Sequence, residues 1–116
     1  MLKIIVAGSR SFNNYQLLQE KLNFYIGNHQ DVEIVSGTAR GADRLGEQYA
    51  IAKNFAIKRF PADWEKYGKR AGYLRNEQMA KYSTHAVIFW DGKSRGTASM
   101  IELCKKYQLN YRVIKF

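Results

Sequence analysis

The sequence holds one cysteine, Cys104, one proline, Pro61, and two histidines. A lone cysteine excludes an internal disulfide and any zinc site built from several cysteines, and it makes a cytoplasmic location the default expectation. No apolar run approaches the roughly 20 residues that a bilayer-crossing helix needs. The opening MLKIIVAGS is too short for a secretory leader and reads as a first strand. His29 falls at the end of one predicted helix and His85 at the start of a strand, far apart and without a partner, so no nucleophilic triad is spelled out. Both read as structural or surface residues. Cys104 shares a helical face with Ala98 and Ile101 and reads as core. No GxGxxG follows the first strand. GKS at 92–94 resembles the end of a P-loop, but Val87 stands where that motif requires glycine. Repeats, low-complexity tracts and linkers are also missing, and no metal site or cofactor is expected.

What is present fits one domain over residues 1–116. A chain of this size buries roughly 65% of its unfolded surface, enough for a real core. Hydrophobic residues make up 46% and charged residues 25%, with a formal net charge of +9. The charge is uneven. Residues 1–52 balance five basic against five acidic side chains, while 53–116 carry fourteen basic and five acidic. Such asymmetry suits an anionic partner, whether nucleic acid or a phosphate-bearing small molecule.

Strand and helix patterns alternate along the chain. Strands are expected at 2–8, 32–36, 55–60, 85–90 and 110–116, and helices at 14–28, 42–54, 69–83 and 96–108. That alternation predicts a doubly wound α/β domain of Rossmann-like type, a five-stranded parallel sheet in three layers. The expected strand order is 3-2-1-4-5, with the switch point between the first and fourth strands. The 61–69 stretch PADWEKYGK is the longest predicted loop and a candidate lid.

In such a sheet, ligands bind beyond the carboxyl ends of the strands. Three of the loops there share a composition: GSRSF (8–12), SGTARGAD (36–43) and WDGKSRGT (90–97) each combine Gly, Ser or Thr, and Arg. Glycine lets a ligand approach the backbone, free N–H groups at a helix start receive phosphate oxygens, and arginine offers a planar fork. The candidate phosphate cradle is therefore Gly8, Ser9, Arg10, Ser36, Gly37, Thr38, Arg40, Gly41, Ser94, Arg95, Gly96 and Thr97, with Asp91 in the last loop. Asp43 fits either a helix cap or a partner for a ribose hydroxyl. Trp64, Tyr67 and Trp90 are candidates to stack on a base, Trp90 lying nearest the proposed loops.

The segments VAGSRSF, VSGTARGAD, PADWEKYGKRAGYLRNEQM and FWDGKSRGTASMIE together resemble the YspA-type branch of the SLOG superfamily, which also contains the DNA-processing protein DprA and the LONELY GUY cytokinin-activating enzymes. The resemblance runs through nearly the whole chain in order. It implies a Rossmann-like fold and a nucleotide-derived ligand such as ADP-ribose, cyclic ADP-ribose or a nucleoside phosphate. It adds Arg75 and Asn76, similar to an Arg-Asn pair of DprA, to Asp43 and Trp90 at the sugar or base end. It also implies a sensor or sequestering role toward signalling nucleotides, some of them antiviral, and a homo-oligomer. LONELY GUY phosphoribohydrolases carry a glutamate three residues after the Gly-Thr threonine. Met100 stands there, and Glu102 is about 200° further round the helix. Glu47 and Glu77 are the alternative acids for that role. The resemblance thus implies binding first, with N-glycosidic cleavage of a nucleotide as the alternative and single-stranded nucleic acid as a second alternative partner.

Overall fold

A computed structural model describes all 116 residues. The strands are β1 (Leu2–Gly8), β2 (Val32–Ser36), β3 (Ala56–Arg59), β4 (His85–Trp90) and β5 (Asn110–Lys115). The helices are α1 (Tyr15–Ile26), α2 (Ala42–Lys53), α3 (Trp64–Tyr67), α4 (Ala71–Tyr82) and α5 (Arg95–Lys106). The sheet is parallel throughout, in the order β3-β2-β1-β4-β5. No helix is long and apolar enough to cross a membrane.

The period of two along each strand divides the core between two faces. Ile4 and Val6 of β1, Ile34 of β2 and Val87 and Phe89 of β4 point to one face, where they meet Leu18, Leu22 and Ile26 of α1 and Tyr49 and Ala50 of α2. Ile5 and Ala7, Val35, and Ala86 and Ile88 point to the other, under Met79 and Ala80 of α4 and Met100, Leu103 and Cys104 of α5. This is why residues 4–8 of β1 and 86–90 of β4 read as continuous apolar runs rather than alternating ones. The chain winds outward from β1 to β3, then returns to β4 on the other side of β1. Right-handed crossovers in both directions place the two helix pairs on opposite faces. The helices that follow β1 and β4 consequently lie on opposite faces, and a crevice opens at the carboxyl ends of these strands.

One expectation changes. The stretch 61–69 is not an open loop: Asp63 accepts the Lys66 N–H at 3.1 Å and caps the single turn of α3. A 3-10 turn at Gly68–Arg70 then leads into α4. A short polar segment with one cap gives little periodicity, which is why the turn is easily missed.

Candidate functional site

A cleft of about 710 Å³ lies at the carboxyl ends of β1, β2 and β4. Of the expected residues, Gly8, Ser9, Arg10, Arg40, Asp43, Arg75, Asn76, Asp91, Ser94, Gly96 and Thr97 line it. Ser11, Ala39, Met79 and Met100 complete much of the wall. Met79 lies one helical turn beyond Arg75, and that spacing is the signal that could have found it. Met100, the position of the missing glutamate, is part of this wall, so the cleft has a thioether there and no acid.

The loops are stitched to one another. The Ser9 N–H donates to the Phe89 carbonyl at 2.9 Å, and the Asp91 N–H donates to Ser9 Oγ at 3.2 Å, joining the β1 and β4 loops. Asp91 Oδ1 accepts the N–H groups of Lys93 and Ser94, both at 2.8 Å, which closes the turn into α5. Those backbone donors hold its carboxyl below its ordinary range. Gly41 precedes α2 with φ +85°, and a Cβ on it would lie 2.6 Å from the Ser9 carbonyl oxygen. A glycine is thus needed for the β1 and β2 loops to pack together. Neither α2 nor α5 has a side-chain cap on its first N–H groups, and both helices begin at the cleft.

Arg75 reaches from α4 to the β2 loop. Its Nη1 donates to the Gly37 carbonyl and its Nε to Asn76 Oδ1 at 2.8 Å. Asp43 accepts the Ala39 N–H at 3.2 Å. A Cβ on Gly37 would lie 2.8 Å from both Arg75 Nη1 and Asp43 Oδ2, so the bare glycine lets the two charged groups close around it. Asp43 is only 5% exposed. Burial pushes its carboxyl up to about 6, against the Ala39 N–H and the Arg75 charge, which act to lower it. Burial also lowers Arg75, opposed by Asp43 and reinforced by Arg10. No carboxylate lies within 4.0 Å of Arg10, Arg40, Arg75 or Arg95, since the ion pairs of the molecule are elsewhere.

Several expected residues sit apart from the cleft. Ser36 is buried and spends its hydroxyl inward, donating to Glu47 Oε2 at 2.6 Å and accepting the Thr38 N–H at 3.0 Å. It braces the loop and is not presented to a phosphate. Gly37 and Thr38 line an adjoining cavity that shares Arg10, Arg40 and Arg75 with the cleft, Thr38 in a left-handed conformation at φ 65°. Trp90 packs on the core beneath α5, and its Nε1 donates to the Ser94 carbonyl at 3.1 Å, so its ring is not free to stack on a base in the cleft. Arg95 is exposed at the first position of α5, off the wall. The alternative acids are also occupied: Glu47 pairs with Arg59 at 2.9 Å, Glu77 accepts from the Tyr107 hydroxyl at 2.9 Å, and Glu102 pairs with Lys105. His29 and His85 line a separate groove at the amino ends of β4 and β5.

Residues 2–67 match the family described as the YspA, cpYpsA-related SLOG family. The chain is 28% identical over 115 residues to the Gene 61 protein of Mycobacterium phage D29, a match spanning 91% of this chain and 90% of that protein. Its fold is similar to that of DNA processing protein A (DprA) from Streptococcus pneumoniae, with a TM-score of 0.78 at 16% identity over 97% of this chain and 50% of that one. DprA from Helicobacter pylori, whose structure was described for its single-stranded DNA binding mode, aligns with a TM-score of 0.66 at 20% identity over 97% of this chain. This chain spans half of the first DprA structure and 64% of the second.

Proposed function

The chain belongs to the YspA, cpYpsA-related SLOG family, and from that premise we propose that it binds a nucleotide-derived ligand by its phosphate, as a sensor or as a protein that sequesters such a ligand. The observation that supports this most is the convergence in one cleft of Arg10, Arg40 and Arg75, none paired with a carboxylate, and the uncapped starts of α2 and α5. An arginine fork and a helix N-terminus both favour an oxyanion. On this reading Asp43 and Asn76, in the lining of the cleft, take the ribose hydroxyls, while Met79 and Met100 are buried in its floor. A phage-encoded relative suits the sequestering role.

Cleavage is the weaker reading. An N-glycosidic hydrolase needs a carboxylate at the anomeric carbon to assist an oxocarbenium-like transition state. The cleft offers only Asp43 and Asp91, each already accepting backbone N–H groups. A second reading, single-stranded nucleic acid, is favoured by the DprA likeness and by the basic second half of the chain.

Thermal unfolding with a panel of mononucleotides, dinucleotides and ADP-ribose tests the proposal. A ligand present at 100 times its Kd adds about 2.7 kcal/mol. In a domain of this size that raises Tm by on the order of 10 °C. A panel at millimolar concentration that leaves Tm unmoved removes the proposal.

A further inference from the structure

The cleft does not end at its arginines. A second lobe of about 250 Å³ lies beyond them, reached across Arg10, Arg40 and Arg75, which form walls of both cavities. Its far side is built by Pro61 and Trp64, and Arg44 of α2 adds a further cation. The two lobes differ in chemistry. The main cleft contains Asp43 and Asp91, suited to hydroxyl groups, whereas no acidic side chain lines the second lobe.

Trp64 is held in position. Asp63 caps the turn that carries it, and the ring edge rests over Gly72: a Cβ on that glycine would lie 3.4 Å from Trp64 Cη2 and 3.9 Å from Arg75 Nη2. The indole and the Arg75 guanidinium line the same lobe. Trp64 is 52% exposed, makes no hydrogen bond through its ring nitrogen, and belongs to neither core cluster. A large aromatic ring fixed next to a cationic ridge and left uncovered is what a stacked base requires.

We infer that the site takes a two-ended ligand, a phosphate or pyrophosphate joining two nucleosides, with the phosphate on the Arg10–Arg40–Arg75 ridge, one nucleoside in the main cleft and the second base on Trp64. This rests on the reading of the cleft as a nucleotide site and extends it from a nucleotide to a dinucleotide. A mononucleotide would fill the main cleft and leave Trp64 bare.

Calorimetric titration of the full chain with ADP and with diadenosine 5′,5′-diphosphate tests this in the parent, Trp64→Ala and Trp64→Phe proteins. Trp64 is outside both cores, so an unchanged Tm verifies folding of the variants. The inference expects Trp64→Ala to weaken the diadenosine compound about tenfold or more, ADP to change less than about twofold, and Trp64→Phe to recover most of the loss. If both probes bind and neither responds to Trp64→Ala, the nucleotide site stands and the two-ended ligand is wrong. If both weaken equally, Trp64 serves the ridge or the first nucleoside, and the inference is again overturned. Should neither probe bind the parent protein, the nucleotide reading itself fails and takes this one with it. An oligothymidylate that binds as tightly as the diadenosine compound overturns the choice of a free dinucleotide.

Discussion

Arg10 and Arg40 come from different loops and reach the same ridge without touching an acid. A hydrogen bond to a charged group contributes about 1.5–3 kcal/mol. Arg10→Ala and Arg40→Ala should each weaken ADP by on the order of 10- to 100-fold. Contacts that share one phosphate couple by roughly 0.5–3 kcal/mol, so the double variant should lose less than the sum of the singles. Arg112→Ala, in the groove at the other end of the sheet, is the control. Calorimetry on the parent and these four variants decides it, and strictly additive losses would separate the two side chains. Asp43 carries a different signature. Its carboxyl rises from 3.8 to about 6 on folding, so between those values the native state binds more protons than the unfolded chain. Stability contributed here is therefore present at low pH and lost as pH rises from about 4 to 6, by at most roughly 2–3 kcal/mol. Urea unfolding across that range should show this slope in the parent minus Asp43→Asn difference, because asparagine keeps an acceptor and has no proton to lose. A flat difference would mean the carboxyl is not desolvated. The convergence of the three loops was readable from composition and topology, but individual roles were less so. Ser36 follows the parity of Ile34, which faces α2, and so meets Glu47. Trp90 follows Ala86 and Ile88 to the α5 face. On α5, Gly96, Thr97 and Met100 share one side while Arg95 is rotated away. Strand parity and helical angle held this information, and a search by residue type passes over it.

The elements themselves were legible because each has a strong signal: continuous apolar runs within β1 and β4, and helical spacing of Leu18, Leu22 and Ile26 on α1. The 61–70 segment has none, and its one-turn α3 depends on a cap and on packing over Gly72. The junctions between elements are more demanding than the elements. Gly41 joins β2 to α2 at φ +85°, and a Cβ there would lie within 2.7 Å of the Arg10 carbonyl oxygen and 2.6 Å of that of Ser9. Gly41→Ala must strain the backbone and also push the β1 loop away from α2. The expected loss is roughly 1–3 kcal/mol, from a residue that contributes no side chain. Chemical denaturation measures it. The same displacement moves Arg10, so nucleotide affinity should fall even under conditions where the variant remains fully folded. A variant of parental stability would show that the two loops can separate without cost and that the cleft is not held by this contact.

At the scale of the whole molecule, the charge and the cleft are separate features. The surplus of fourteen basic over five acidic residues belongs to 53–116, yet Arg10 and Arg40 come from the half of the chain whose charges balance. Of the ridge, only Arg75 belongs to the basic half. The net charge of +9 therefore acts chiefly as a long-range field that draws anions toward the surface, while affinity for a pocket ligand comes from a few fixed contacts. Salt distinguishes the two. A single strand that neutralises Z phosphates loses affinity with a slope of about −0.7Z in log–log form, whereas a ligand with one or two phosphates responds weakly. Between 50 and 200 mM salt, a fourfold range, an oligothymidylate making six contacts should weaken by on the order of several hundredfold, and a dinucleotide with two phosphates by less than about tenfold. Fluorescence anisotropy for the strand and calorimetry for the dinucleotide, across the same salt series, measure both. Strand binding along the basic half should also be nearly indifferent to Arg10→Ala and Arg40→Ala. Strand affinity that persists at 200 mM salt and collapses in those two variants would make single-stranded nucleic acid the ligand of the cleft.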